Sequence, residues 1–304
     1  MDNIITIGVD LGNYAVKTSE YITFRSVSEK FEYKHQMKGE NSILFKGIRY
    51  VVGEGEVDNS SIKTHRKDTI PLLLNALYKS IKRPQANIRL ITGLPLEHHK
   101  DTSLISETKS LYTGTFDFKY ITKDEATDIS YNIKEVYVFP ECMASFYSIN
   151  QDMLNRDVLV IDIGGGTVNI ALFVDGEYED SITIPFGMNT MYSKIVTKAN
   201  HLNTGATFTV EDILKFINRG YLKWDSRIDN MEYAESILSE FAYEIVNQLK
   251  GKFPIYKSYE IMLSGGGSNV MENYLSPLID FSMINETIFA NALGFYNVGV
   301  GING

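Results

Sequence analysis

Two stretches of this chain share one pattern at an offset of half its 304 residues. Val158-Leu-Val-Ile-Asp-Ile-Gly-Gly-Gly-Thr-Val-Asn-Ile-Ala-Leu-Phe173 places an aspartate and three glycines between two apolar runs. Ile5-Thr-Ile-Gly-Val-Asp-Leu-Gly-Asn-Tyr-Ala-Val-Lys-Thr18 repeats the arrangement near the N-terminus. The two align without a gap, Asp10 on Asp162, Gly12 on Gly164 and Val16 on Val168. Apolar, mostly β-branched runs joined by Gly and Asn read as strands folded into a hairpin. The pattern occurs only twice, so the expectation is an α/β chain with an internal duplication rather than a solenoid. A chain of this length is large for one core, and two lobes are expected.

Around the hairpins the periodicities predict strands at Ile4–Asp10, Ala15–Phe24, Ser42–Phe45, Ile48–Val52, Asn87–Gly93, Gly114–Thr122, Ile133–Phe139, Tyr178–Ile184 and Glu260–Ser264. They predict helices at Ile70–Ile81, Cys142–Asn150, Asn189–Ala199, Val210–Asn218, Met231–Lys250, Asn269–Leu275 and Glu286–Tyr296, with a helix or loop at Thr102–Lys109. The stretch from Met231 reads as lobe core with a solvated acidic face.

The chemistry of the hairpins follows from their residues. Consecutive backbone N–H groups in a tight glycine turn make a concave anion site, and missing side chains let phosphate oxygens approach. Two such turns from duplicated halves can clamp a polyphosphate from both sides. A carboxylate just before each turn would repel phosphate directly, but suits a Mg²⁺ ion held largely through its own waters. Asp10 and Asp162 fit that role, and Lys17 is spaced to return positive charge toward the phosphates. A third element, Met262-Leu-Ser-Gly-Gly-Gly-Ser-Asn-Val-Met271, reads as strand, glycine turn and helix start. Its glycines would let a flat purine and ribose lie against the backbone beside a helix N-terminus.

With these motifs in order, the chain resembles the actin, chaperone and sugar-kinase ATPase superfamily. Asp10-Leu-Gly-Asn13 resembles the first phosphate loop, Asp162-Ile-Gly-Gly-Gly-Thr167 the second, and Leu263-Ser-Gly-Gly-Gly-Ser-Asn269 the adenosine motif. Phe139-Pro-Glu-Cys-Met-Ala144 and Ala290-Asn-Ala-Leu-Gly-Phe-Tyr296 are similar to its two connecting segments. Thr92-Gly-Leu-Pro-Leu96 and the Ala-Asn-Ala-x-Gly-Phe-Tyr segment point within it to bacterial actins of the ParM/StbA type, which segregate plasmids.

The resemblance implies an α/β, actin-like two-lobe fold with duplicated ribonuclease-H-like domains around a nucleotide cleft. The first lobe would span residues 1–154, with a small insertion subdomain roughly at 25–85. The second would span 155–285, with a helical insertion roughly at 190–255, and 286–304 would return to the first lobe. It also implies roles. Glu141 would orient or activate the attacking water, Asp162 would hold metal-bound waters and help position the nucleophile, and Asp10 would share the metal. Gly12, Asn13, Lys17, Gly164, Gly165, Gly166 and Thr167 would hold phosphates, and Ser264, Gly265, Gly266, Gly267 and Asn269 the nucleoside. The cofactors would be Mg²⁺ and ATP, with GTP as the alternative. Many relatives carry an acid where this chain has Asn169, which touches the rate of hydrolysis rather than binding.

Function is then expected to be that of a filament-forming ATPase, assembled head-to-tail with itself and depolymerising after hydrolysis, with plasmid or phage DNA as cargo. Net charge is −9. An acidic chain lacks the broad basic face that neutralises phosphates, so DNA is expected through a DNA-binding adaptor protein and not directly. The alternatives are a small-molecule kinase of the same superfamily, for which no substrate-base signature is present, and a bacterial cell-organising actin. A chaperone-type module would need a following peptide-binding domain, and a nonpolymerising regulatory ATPase stays open. No apolar run approaches the ~18–20 residues that span a bilayer, and no basic-then-apolar leader or terminal anchor is visible, so a cytoplasmic protein without membrane contact is expected.

Three smaller signals point elsewhere. The single cysteine, Cys142, excludes an internal disulfide and reads as a buried helix residue rather than a nucleophile. His98-His99 reads as surface or interface histidines, since adjacent side chains point apart and no third ligand is near. Lys63-Thr-His-Arg-Lys67 reads as a solvated basic loop.

Overall fold

The computed structural model describes residues 4–31, 42–55, 60, 62–149 and 151–301. They divide into two compact units, Met1–Asn155 with Ile284–Gly304, and Arg156–Met283. Each unit is a sheet flanked by helices, so the protein is a mixed α/β chain.

In the first unit the chain runs β1 (Ile4–Leu11), β2 (Ala15–Thr18), β3 (Thr23–Arg25), β4 (Ser28–Phe31), β5 (Ser42–Phe45), β6 (Ile48–Val52), a 3₁₀ turn at Lys63–His65 and α1 (Thr69–Ile81). It continues through β7 (Gln85–Leu94), α2 (Leu96–His99), α3 (Thr102–Tyr112), β8 (Gly114–Ile121), β9 (Ala126–Pro140), α4 (Met143–Phe146) and α5 (Gln151–Leu154). The nine strands form one sheet in the order β3-β2-β1-β7-β9-β8-β5-β6-β4. β1 pairs antiparallel with β2 and parallel with β7, so the first hairpin sits inside the sheet. Period-two burial runs along β8, where Phe116, Phe118 and Tyr120 face the core and Asp117 and Lys119 face out. α1 carries Leu72, Leu73, Leu74, Ala76 and Leu77 fully buried in that core. Each such leucine side chain contributes about 1.5–3 kcal/mol of burial free energy.

The second unit runs β10 (Val158–Ile163), β11 (Val168–Val174), β12 (Glu177–Ile184), α6 (Met188–Leu202), α7 (Val210–Arg219), β13 (Leu222–Trp224), β14 (Arg227–Asp229), α8 (Glu232–Lys252), β15 (Glu260–Ser264), α9 (Ser268–Leu275) and β16 (Ser282–Met283). Its main sheet has the order β12-β11-β10-β15-β16. β10 is buried at every residue, which is why it reads as a continuous apolar run. α8 buries Ala234, Leu238, Phe241, Ala242, Ile245, Val246 and Leu249, a stripe at helical spacing, and turns Glu232, Glu235 and Glu240 to solvent. The chain then re-enters the first unit, where α10 (Ala290–Gly301) packs along β1 and α4.

Local chemistry explains where the elements depart from the periodicities. The expected strand Ala15–Phe24 breaks after Thr18, whose hydroxyl accepts from the N–H groups of Glu20 and Ile22 at 3.3 Å and competes with the ladder. Tyr21 then takes φ 59° and β3 folds back on β2. The expected helix Cys142–Asn150 shortens to α4. Cys142, with φ 68°, stays ahead of its start. Beyond Phe146 the N–H groups of Ser148 and Ile149 donate to carbonyls three residues back, at 3.1 and 3.2 Å, in place of helical bonds four back. Asn150 lies outside the described residues. The β13–β14 hairpin and β4 escape the periodicity altogether. β13 and β14 have three residues each, and their turn, Asp225-Ser226, takes left-handed φ at both positions without the glycine that usually announces it. Among the described residues no helix is long and apolar enough to cross a membrane.

Candidate functional site

The first hairpin ends β1 in a cluster of charges. Asp10 is buried, and its cross-strand partner in the β1–β2 register is Lys17. Lys17 Nζ lies 3.4 Å from Asp10 Oδ2, and Lys63 Nζ lies 3.5 Å from Asp10 Oδ1. The same Lys63 ammonium donates to Glu141 Oε1. Glu141 follows directly on β9, and its own N–H donates to the Leu94 carbonyl at 2.8 Å, which ties it to the end of β7. The next residue is held too, because the Asn291 amide oxygen on α10 accepts from Cys142 N at 3.1 Å and from Ser145 Oγ at 2.8 Å.

Burial and charge oppose one another here. Burial acts to raise the Asp10 carboxyl, but the ammonium groups of Lys17 and Lys63 outweigh it and hold the group below its ordinary value. Burial pushes the Glu141 carboxyl up; Lys63 pulls against that, the Asp10 charge adds to it, and the net direction is upward. For Lys63, burial acts downward and the two carboxylates override it, so the ammonium is held above the ordinary lysine value. Two lysines touch Asp10 and one touches Glu141, so the charged form is favoured more strongly at Asp10 than at Glu141.

Lys63 and Arg66 correct the expectation of a solvated loop. Both are 4% exposed. Arg66 donates to the Ser26 carbonyl at 2.8 Å, to Ser26 Oγ at 3.1 Å and to the Gly12 carbonyl at 3.4 Å. A run of cations reads as solvated unless buried acceptors await it, and these come from residues 10, 12, 26 and 141, too far along the chain for local spacing to reveal.

In the second unit the matching hairpin is seated differently. Asp162 is buried near the end of β10, opposite Asn169 on β11 and beside Ser264 on β15. Asn169 uses both ends of its amide: Nδ2 donates to Thr167 Oγ1 at 3.4 Å, and Oδ1 accepts from Thr183 Oγ1 at 2.8 Å. Gly164 N–H donates to the Thr167 carbonyl at 3.0 Å and closes the turn. The turn then rests on the start of α6, whose Met188 and Asn189 N–H groups donate to the Gly164 and Gly165 carbonyls at 3.0 and 2.9 Å. Gly187, just before α6, allows this approach. A Cβ there would lie 2.5 Å from the Gly164 carbonyl oxygen and 2.8 Å from that of Gly165. Gly187 stands outside the motifs that the sequence singles out, although a lone glycine between Phe186 and a helix start is a visible signal.

The third glycine run packs on the same acid. Gly265 has φ +88°, and a Cβ on it would strike Asp162 Oδ1 and the Ile163 carbonyl. Gly267 N–H donates to the Ile163 carbonyl at 2.9 Å, while Gly266 faces open space. Ser264 is buried, and Asn269 is exposed on the first turn of α9.

Each unit therefore gathers part of the sequence-derived set. The first brings together Asp10, Lys17 and Glu141 through Lys63, with Gly12 at the turn beside Lys17 Nζ and a half-buried Asn13 next to it. The second brings together Asp162, Gly164, Gly165, Gly166, Thr167 and the run Ser264–Gly267. Cys142 is a buried thiol in no disulfide, ahead of α4 rather than within it. His99 Nε2 lies 3.1 Å from the Val138 carbonyl. Among the described residues no group of three or more His, Cys, Asp or Glu side chains is disposed to hold a metal ion by itself.

Comparison with known proteins places both halves. The model of the actin-like protein N-terminal domain matches residues 8–143, and that of the archaeal actin homologue MreB-like C-terminal domain matches residues 160–277. Among solved structures, the archaeal actin homologue Ta0583 superposes with a TM-score of 0.82 at 18% identity, covering 98% of this chain and 100% of that one. The same homologue in complex with ADP gives 0.81 at 17% identity, with the same coverage. A 15-stranded ParM filament from Clostridium botulinum gives 0.80 at 23% identity, covering 98% and 99%. The cell division protein FtsA of Buchnera aphidicola is 28% identical over 158 aligned positions, 44% of this chain and only 37% of that protein.

Proposed function

The chain belongs to the actin-like superfamily, and we propose that it is a nucleotide-dependent filament protein that binds and hydrolyses ATP with Mg²⁺. The observation that carries the reading is the pair of aligned hairpins, each with a buried aspartate at or next to its strand end and a glycine turn beyond it. The donor set fits Mg²⁺, which is held by one or two carboxylates and keeps several waters. The glycine cradle fits a nucleoside, since Gly266 faces open space and Gly265 lies against Asp162 too closely for any side chain.

Asp10 in the first unit and Asp162 in the second would each offer a buried carboxylate to the waters of a bound Mg²⁺. A bound Mg²⁺ supplies charge stabilisation on the transferring phosphoryl group. The backbone N–H groups at Gly12 and Asn13, and at Gly165 to Thr167, would receive phosphate oxygens, while Gly164 closes the turn through the Thr167 carbonyl. Lys17 adds positive charge beside them. Ser264 to Gly267 and Asn269 would receive the nucleoside. Glu141 stands at the end of β9 with its backbone pinned by Leu94 and would orient the attacking water and accept its proton. Burial raises its carboxyl above the ordinary value, the direction a general base needs, and the Lys63 ammonium opposes that rise.

Assembly with copies of itself, head to tail, follows the filament-forming relative at the level of a proposal. Nucleotide state would bias the contact through γ-phosphate and metal. Plasmid or phage DNA would be carried through a DNA-binding adaptor, in keeping with the net charge of −9, and the protein would work in the cytoplasm. The partial match to FtsA favours a second reading, a cell-organising actin.

Light scattering of the purified protein after addition of Mg-ATP, with phosphate release followed in the same sample, tests the proposal. Scattering should rise above a critical concentration and decay as ATP is consumed. Glu141→Ala should slow phosphate release about 100-fold or more and prolong the assembled phase. Phosphate release with flat scattering at micromolar protein would sink the filament reading and favour a kinase of the same fold.

A further inference from the structure

Lys63 stands out because it is a buried lysine whose ammonium touches two buried acids at once. Asp10 Oδ1 lies 3.5 Å away, and Glu141 Oε1 accepts its hydrogen bond. Asp10 sits beside the first phosphate turn, and Glu141 is the acid assigned to the attacking water. The geometry points to Lys63 as a positioning residue that acts through Glu141, fixing the carboxylate toward the attacking water so that it governs the rate of phosphate cleavage rather than nucleotide affinity. This rests on the function proposed above.

The segment that carries Lys63 is built to hold it still. Three residues on, Arg66 is fastened to the Ser26 carbonyl and hydroxyl and to the Gly12 carbonyl at the turn itself. Thr69, where α1 begins, shares a 3.1 Å hydrogen bond with the Tyr112 hydroxyl. The lysine therefore approaches the acids from a fixed base, which is what a positioning group needs. His65, between the two buried cations, points the other way and pairs with Glu107 at 3.3 Å, with both side chains about half exposed.

The place of the ammonium favours an effect on rate over one on affinity. The ammonium bridges the two carboxylates, not the hairpin N–H groups that would receive phosphate. Removing it leaves Glu141 free to turn from its place and leaves two buried acids facing each other with one cation fewer. Lys17, which pairs with Asp10 and not with Glu141, cannot replace it.

The test compares the wild-type chain with Lys63→Met, Lys63→Arg and the control His65→Ala. Mg-ATP affinity is measured by calorimetry, and phosphate release in a single turnover. Lys63→Met should bind Mg-ATP within about threefold of wild type and release phosphate about 100-fold more slowly, the size of effect lost when a general base is misplaced. Lys63→Arg should recover part of the rate, because it keeps the charge on a different fork. His65→Ala should match wild type in both measurements.

Wild-type cleavage by Lys63→Met would overturn the positioning role, as would a fall in affinity by the same factor as the rate. Should Lys63→Met not fold, Lys63→Gln, which keeps a donor without the charge, is read in its place. Failure of both to fold would make the lysine structural and overturn the inference. A wild type that neither binds nor cleaves Mg-ATP would instead overturn the proposed function itself.

Discussion

The two hairpins start from one aligned pattern and end in different surroundings. In the first, Asp10 faces Lys17 across the strand pair and a second ammonium from Lys63. In the second, Asp162 faces Asn169, a neutral amide whose two ends are taken by Thr167 and Thr183. The first turn is strapped from outside by Arg66, whereas the second is seated on the start of α6 through Gly187. The same backbone solution is thus stabilised once by buried charge and once by close backbone packing. Duplication keeps the turn, because only the glycine and the strand register make it. The partners are free to diverge, since each is delivered by a different part of the chain.

That contrast can be broken from either side. The largest effect is expected at the packed hairpin. Gly187→Ala forces its Cβ onto the Gly164 and Gly165 carbonyls at 2.5 and 2.8 Å and should cost about 2–3 kcal/mol in urea unfolding. A loss below about 0.5 kcal/mol would mean that the turn does not depend on that seat.

A smaller effect is expected when the charged hairpin is given its counterpart's residue. Lys17→Asn should cost about 1 kcal/mol at neutral pH, below the ~1.5–3 kcal/mol of a hydrogen bond to a charged group, because Lys17 stays partly solvated and Lys63 still pairs with Asp10. Its pH dependence carries the sign. Asp10 titrates below its ordinary 3.8 in the folded protein, so its contribution is present above that value and is lost as pH falls through the lower folded one. The difference between wild type and variant should therefore shrink below the ordinary value. Equal differences at both pH values would show that Lys17 acts through packing and not through Asp10.

The smallest effect is expected from restoring an acid to the second hairpin. Asn169→Asp keeps the acceptor for Thr183, and the Thr167 hydroxyl can rotate to donate where it now accepts. The cost should be under about 1 kcal/mol by thermal unfolding at acid pH, where the new carboxyl is neutral and adds no charge opposite Asp162. A drop of several kcal/mol would mean that this hairpin tolerates only one buried carboxylate.

Local signals in the chain carry much of this architecture. Apolar runs interrupted by glycine mark the hairpins, and β5, β6 and β15 fall where period and flanking turns put them, because those signals span only a few neighbours. The superfamily is legible for the same reason, since each motif occupies a few contiguous residues. Features that depend on an unusual backbone are not. The Asp225-Ser226 turn lacks a glycine, and the Cys142 φ of 68° together with the tightened turns after Phe146 leaves four helical residues where the apolar residues promise nine.

What the sequence alone determined, then, is the order of the main strands and helices, the two turns and the identity of the acids beside them, because each is written in neighbouring residues. The tertiary structure decided which cations meet those acids. Lys63 lies 78 positions from Glu141 in the chain, and nothing near it in sequence distinguishes it from a solvated lysine. A lysine stays buried only when carboxylates compensate its lost hydration, and the fold alone brings those carboxylates within reach.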